Sequence, residues 1–314
     1  MTNPDPIYTL RGTGSPVTVV KFNGSSNENL YSGCEDGNVH IWNMHTRRIQ
    51  TIVNAHPDHS VLDLDFINDK LVTQGRDGLV KFWSIQGSDY TISGTLQSGS
   101  LGFCSSAVVG CNSTNYLAIP GDVTSQVDIY DCKTHNSIGY LKPCSGHSKY
   151  GMCMSIRSVQ NEKHILIGYE NGSVALWDIR SFKMIDSSSF HKETVMCMDF
   201  SSGFMKGLSG SVDNKIVSWK LTLDEDKNSK HLTQSEQTEV INPGFNDICI
   251  RDDNKIFATA GWDTNIRIFG FKKLKPLAVL SYHKQSVQCL TFSDDFLLAC
   301  GSKDQYISLW DIYR

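Results

Sequence analysis

Residues 282–312 read YHKQSVQCLTFSDDFLLACGSKDQYISLWDI. A histidine in a turn opens the stretch, followed by an alternating apolar strand, a charged turn and a second apolar strand. A Ser-Lys-Asp turn and a third strand ending in Trp-Asp complete it. A pattern of this length decides a fold when it recurs at a fixed period of roughly 40 residues, and this one recurs.

The aromatic that ends the third strand serves as a ruler. The residues matching Trp310 are Trp42, Trp83, Tyr130, Trp177, Trp219 and Phe269, with successive spacings of 41, 47, 47, 42, 50 and 41. Seven units therefore account for nearly the whole chain. Six residues before the aromatic stands Asp36, Asp77, Asn171, Asp213, Asp263 or Asp304, with Thr124 in the third unit. That fixed offset marks a short turn between two strands. VKFWSI, VALWDI, IVSWKL, IRIFGF and YISLWDI are rich in Val, Ile and aromatics, and Gly, Asn, Asp and Ser turns bound them. No segment carries helical periodicity of useful length. The sequence predicts an all-β chain, a single seven-bladed β-propeller over residues 1–314 with one four-stranded blade per unit.

The two ends fit one another. After Asp311 too few residues remain for a fourth strand, whereas PIYTLRG at 6–12 precedes the first unit as an extra strand-like piece. Residues 7–10 are expected to supply the missing strand of the seventh blade and to cover an edge otherwise exposed. Two regions depart from the repeat. The third unit, residues 96–132, lacks both the turn histidine and the Asp. TLDEDKNSKHLTQSEQTEV at 222–240 reads as part of an outer strand plus a solvated, charged loop.

Composition narrows the function classes. Lys plus Arg number 29 against 33 Asp plus Glu, a formal charge of −4 with the signs interspersed, which is no footprint for nucleic acid. MTNPDPIYTL lacks the pattern of a signal peptide, and no apolar run reaches the ~18 residues of a membrane span. A soluble intracellular protein, monomeric by itself, is the expectation. Ten scattered cysteines without a Cys-x-x-Cys pair read as reduced thiols. Cys153, Cys197 and Cys289 each stand three residues before a large apolar residue, Ile156, Phe200 and Phe292, and are expected to share one packing position.

His191, Ser209 and Asp213 would form a cluster with the composition of a catalytic triad. The same positions hold His56, Thr73 and Asp77 in unit two, and His283, Cys300 and Asp304 in unit seven, with His-to-Asp separations of 22, 21 and 21 residues. A triad is normally unique, so a recurring cluster beside Trp219, Trp83 or Trp310 is read as a buried hydrogen-bond network. On that reading Asp213→Ala costs a few kcal/mol of stability, the usual scale for a broken buried network. No catalytic residue, metal site or cofactor is expected. His56 and His59 lack a second ligand pair, and GTGSP at 12–16 has no phosphate-loop Lys-Ser/Thr.

The residue before each turn Asp should point to one face, giving Glu35, Arg76, Val123, Glu170, Val212, Trp262 and Lys303. Trp262 stands out, because an exposed indole suits a protein interface better than a solvated surface. Arg76 and Lys303 are expected to flank it with charge. The competing reading has Trp262 tucked against its neighbours. Blade three is a second candidate surface, having lost its network.

Trp177-Asp178 and Trp310-Asp311, the Gly146-His147 pair and the recurring Asp resemble the WD40-repeat proteins over residues 7–312. Within that superfamily, LRGTGSPV, QGRDGLVKFW, LGFCSSAVV, ATAGWDTNIRIF and ACGSKDQYISLW resemble the guanine-nucleotide-binding-protein β-subunit-like protein 1 group, which is similar to the fungal ASTRA-associated protein 1. The resemblance implies a non-catalytic scaffold in cytoplasm and nucleus. It implies work with the co-chaperone assembly that matures phosphatidylinositol-3-kinase-related kinases, or with a chromatin-associated complex containing it. A signalling G-protein β subunit is the less favoured alternative, since those subunits carry an N-terminal coiled-coil helix and the closing strand here begins within the first ten residues. A cullin-ligase substrate receptor is another, because Trp177-Asp178-Ile179-Arg180 resembles the end of the Trp-Asp-x-Arg box, although Asn171 replaces the expected acid. Loss of a co-purifying cullin adaptor on Arg180→Ala would support it.

Overall fold

The computed structural model describes residues 4–23, 28–111, 114–144, 150–159, 163–223 and 230–313. The described residues form 28 strands in seven four-stranded sheets and no helix, so none is long and apolar enough to cross a membrane. Each ruler aromatic lies on the third strand of its sheet, as Trp42 in Asn38–Asn43 and Trp310 in Tyr306–Asp311. In six sheets a β-bulge falls at that aromatic, where the third strand pairs with the fourth. The bulge re-aims one side chain without ending the ladder, and Trp42, Trp177, Trp219 and Trp310 are fully buried.

Blade seven is built from both ends of the sequence. Its strands are Val287–Phe292, Leu297–Ser302, Tyr306–Asp311 and, as the fourth, Tyr8–Arg11. Tyr8 pairs with Leu309 and Arg11 with Tyr306, antiparallel. Leu10 is completely buried, and Thr9 Oγ1 donates to Tyr282 Oη at 2.8 Å. The Tyr306–Asp311 strand thus has no open edge.

The chain divides into two compact units, Met1–Gln97 with Asn246–Arg314, and Ser98–Phe245. In the first, blades six, seven, one and two pack consecutively; in the second, blades three, four and five do so. Second and third strands are covered on both faces and read as continuous apolar runs, whereas fourth strands such as Asp89–Gln97 stay half exposed.

One expectation needs correcting. Cys197 and Cys289 share a position just after a bulge in the first strand, but Cys153 stands before the bulge, where other blades have Val17, Val61, Val195 or Val287. Counting to the next large apolar residue missed it because strand pairing matches Ile156 with Met198 and Leu290, not with Phe200 and Phe292. Residues 230–239 supply the outer strand expected within 222–240, ten residues paired with Lys215–Leu223. The acidic Asp224, Glu225 and Asp226, like Gly146-His147, lie outside the described residues.

Candidate functional site

The network beneath the turns closes fully in two blades. In blade two, His56 Nδ1 meets Asp77 Oδ2 at 2.9 Å and His56 Nε2 meets Thr73 Oγ1 at 2.8 Å. Trp83 Nε1 donates to the same hydroxyl at 3.1 Å. Burial pushes the His56 imidazole below its ordinary range, and the Asp77 carboxylate partly offsets this. Gly75 lies so close to His56 and Asp77 that any Cβ there would strike both, which explains a glycine at the end of an otherwise apolar strand.

Blade seven reaches the same result by another route. His283 Nδ1 meets Asp304 Oδ2 at 3.0 Å, but its Nε2 meets Ser308 Oγ at 2.7 Å, and Trp310 Nε1 donates to that serine at 2.8 Å. Cys300 stands where blade two has Thr73, and Ser308 lies directly across the ladder from it. A thiol is a weak partner, so the hydroxyl comes from the opposing strand. Burial alone raises the Asp304 carboxyl, but hydrogen bonds from His283 and from the Lys284 and Tyr306 N–H groups bring it below the usual carboxylate range.

Blade five is the cluster that looked most like a triad, and its chain is broken. His191 Nε2 meets Ser209 Oγ at 2.8 Å and Trp219 Nε1 donates to Ser209 at 3.3 Å. His191 Nδ1 stands 4.0 Å from Asp213 Oδ1 and has no hydrogen-bond partner among the described residues. Burial without that partner lowers the imidazole to about 4. Asp213 instead accepts the Lys215 N–H at 2.8 Å and caps its own turn. A base with no hydrogen-bonded acid behind it is poorly arranged for proton relay, so the geometry favours a structural role.

The remaining blades substitute other chemistry. In blade one Ser15 Oγ accepts the Asp36 N–H at 3.2 Å and Trp42 Nε1 donates to Ser32 at 2.9 Å. In blade six Asp263 is held by both terminal nitrogens of Arg267, a partner the sequence reading missed. Thr259, at the hydroxyl position there, has an unpartnered Oγ1 because Phe269 brings no N–H. The signal for Arg267 was available: a charged residue four after the Asp in an apolar strand needs a buried acid.

Above the relays lie the residues that precede each Asp. Glu35, Arg76, Glu170 and Lys303 are exposed, and their N–H groups donate to Pro16, Ser60, Met152 and Ser286 carbonyls, each just before a first strand. These positions are structurally equivalent. Trp262 is 41% exposed, and its indole N–H donates to Asn246 Oδ1 at 2.7 Å. Asn246 Nδ2 in turn donates to Ser286 Oγ at 2.8 Å and Val287 O at 2.6 Å in blade seven. Ser286 O accepts the Lys303 N–H at 3.0 Å. The indole is therefore neither tucked away nor loose: one edge is pinned, much of it stays exposed, and Asn246 and Ser286 connect it to the Lys303 backbone.

The other expected members are distributed differently. Lys303 is linked to Trp262 through Ser286 and Asn246, whereas Glu35 lies on blade one and Arg76 on blade two, three blades along the same unit from Trp262, so Arg76 does not flank it. Glu170 belongs to the second unit, where its Oε2 accepts the Met152 N–H at 2.9 Å. Arg180, the end of the Trp-Asp-x-Arg segment, folds its N–H onto Asp178 Oδ1 at 2.9 Å and closes a local turn. His59 Nδ1 lies 2.8 Å from Pro57 O. Among the described residues no group of three His, Cys, Asp or Glu is placed to hold a metal.

Comparison with known proteins accords with this architecture. The WD domain, G-beta repeat family matches residues 4–43, 236–270 and 274–311. The β-propeller domain of Cps50 (Swd1) from Myceliophteria thermophila has the same fold, with a TM-score of 0.83 over 98% of this chain and 99% of that one at 17% identity. ASTRA-associated protein 1 of Schizosaccharomyces japonicus and of Schizosaccharomyces pombe are each 29% identical over the full length of both chains. The mouse guanine nucleotide-binding protein subunit beta-like protein 1 is 39% identical over 99% of this chain and 97% of its own length. This seven-bladed propeller belongs to the guanine nucleotide-binding protein subunit beta-like protein 1 family of WD40-repeat proteins.

Proposed function

We propose that this protein is a non-catalytic adaptor that works with the co-chaperone machinery maturing phosphatidylinositol-3-kinase-related kinases, in cytoplasm and nucleus. The observation that carries the adaptor reading is Trp262, an indole open to solvent yet held by Asn246 on a hydrogen-bonded platform shared with blade seven. A pre-ordered aromatic loses little side-chain entropy on binding, and such anchors dominate interface energies. Lys303 beside it adds an exposed cation that favours an acidic neighbour on the partner. The co-chaperone reading rests on the family and on the relatives named ASTRA-associated protein 1.

Affinity purification with mass spectrometry tests both parts. The wild-type chain is expected to recover the co-chaperone subunits, and Trp262→Ala with Lys303→Glu to recover about tenfold less or lower at an unchanged melting temperature. Equal recovery by the double variant would remove this surface as the site. A wild-type eluate without co-chaperone subunits would remove that partner while leaving the adaptor reading to other proteins.

A further inference from the structure

A second surface lies wholly within the unit Ser98–Phe245 and rests on none of the residues just discussed. Twenty-one residues before Thr124, the spacing at which blades two and seven bury a histidine, blade three has Phe103. It is 68% exposed, whereas His56 and His283 are 0% and 6% exposed. Leu101 in the same loop is 65% exposed, Met152 53% and Val123 41%. Four large apolar side chains on neighbouring loops make a patch of the kind that soluble surfaces usually avoid.

Contacts chain these loops together. Ser98 Oγ donates to Pro120 O at 3.3 Å, and Gly99 packs against Asp122 so closely that a Cβ would come within 2.6 Å of the aspartate side chain. Ser125 Oγ donates to Gly151 O at 2.5 Å. Cys104 and Cys153, which follow Phe103 and Met152, hold their sulfurs 3.8 Å apart. Met152 is tied in turn to Glu170 by its N–H. The apolar side chains therefore sit on a scaffold of backbone contacts and need little ordering on binding.

The blade-three part of the patch is acidic. Residues 98–131 contain three Asp and no Lys, Arg or His. Asp122 and Glu170 are exposed at the edge of the patch. Burial raises the Asp128 carboxyl above its usual range, the Gln126 hydrogen bond opposes this, and the nearby Asp122 charge adds to the rise. Thr194 Oγ1 donates to Glu170 O at 3.1 Å and ties that turn to the next blade.

We infer that Leu101, Phe103, Val123 and Met152, rimmed by Asp122 and Glu170, form a docking site for a peptide segment of a partner protein that places large apolar side chains next to Lys or Arg. The apolar patch supplies burial and the acidic rim supplies register and selectivity against acidic segments. Blade three has no buried relay to protect, which leaves its entering loop able to turn its apolar residue outward.

A positional-scanning array of short synthetic peptides, probed with the full chain, tests this. Wild-type protein is expected to select Phe, Leu, Met or Trp adjacent to Arg or Lys. Phe103→Ser with Met152→Ser should weaken the selected peptides about tenfold or more at an unchanged melting temperature. Asp122→Asn with Glu170→Gln should abolish the preference for basic neighbours and its salt dependence. Trp262→Ala should leave all of this intact. If the first double variant melts early, Leu101→Ser with Val123→Ser carries the same test. No selection, a preference for acidic peptides, or selection surviving both apolar double variants would overturn the inference. Loss in Trp262→Ala alone would overturn it as well, while supporting the blade-six surface.

Discussion

Blade seven and blade three are both four-stranded sheets with the same strand order, and they treat the contact between entering loop and turn in opposite ways. In blade seven that contact is buried, charged and saturated: His283 bridges Asp304 and Ser308, and Trp310 donates to the same serine. In blade three the places of His283, Asp304 and Ser308 hold Phe103, Thr124 and Asp128, and Phe103 has no ring nitrogen to join the other two. Both sheets nevertheless complete four antiparallel strands. The relay is therefore a stabilising device laid over a fold that strand patterning already specifies. Where it is absent, the loop is available for contact with other molecules.

The largest way to break the comparison is to open blade seven itself. Deleting residues 1–11 removes the partner of Tyr306–Asp311 and the buried Leu10, and should cost more than any single substitution, above about 5 kcal/mol. An unchanged melting temperature would show that Tyr8–Arg11 does not close the blade. Asp304→Ala comes next. It strips His283 and two backbone N–H groups of their acceptor, for an expected loss of about 3 kcal/mol in chemical denaturation.

Acid should find the flaw in blade five. His191 is held to about 4 in the folded state, against roughly 6.5 when unfolded. Between those values the unfolded chain binds the proton and the folded chain does not, so stability is lost as pH falls from about 6.5 towards 4. The loss is of order 3 kcal/mol, with His56 adding in the same sense. His191→Gln should flatten that slope. Ser308→Ala, which removes the acceptor of the Trp310 N–H and the hydroxyl partner of His283 Nε2, is expected to cost about 2 kcal/mol, and Cys300→Ala less. The smallest effect is Asp213→Ala, about 1 kcal/mol, because its carboxylate is 4.0 Å from His191 and mainly caps a turn. A loss as large as that of Asp304→Ala would mean that the blade-five chain closes in solution.

Much of this was legible in the amino acids. The Asp-to-aromatic offset of six residues locates the third strand in five units, and Pro6 to Gly12 reads as a strand because the last unit lacks one. What escaped was geometry that counting cannot carry. Ser308 was invisible because strand pairing, not sequence distance, puts it opposite Cys300. The gap between His191 and Asp213 is a matter of a single ångström. Arg267 was readable as a buried cation in need of an acid but was passed over for want of a histidine. Exposure of Phe103 and openness of Trp262 depend on how loops pack, which side-chain alternation does not encode.

Lys303 and Asp304 are adjacent, and the account assigns them opposite work: the first faces outward beside Trp262, the second holds His283. The unfolding midpoint in urea of Lys303→Ala against Asp304→Ala tests that division most directly. The account predicts a Lys303→Ala protein within about 0.5 kcal/mol of wild type and an Asp304→Ala protein destabilised by about 3 kcal/mol. Equal midpoints for the two variants would contradict it.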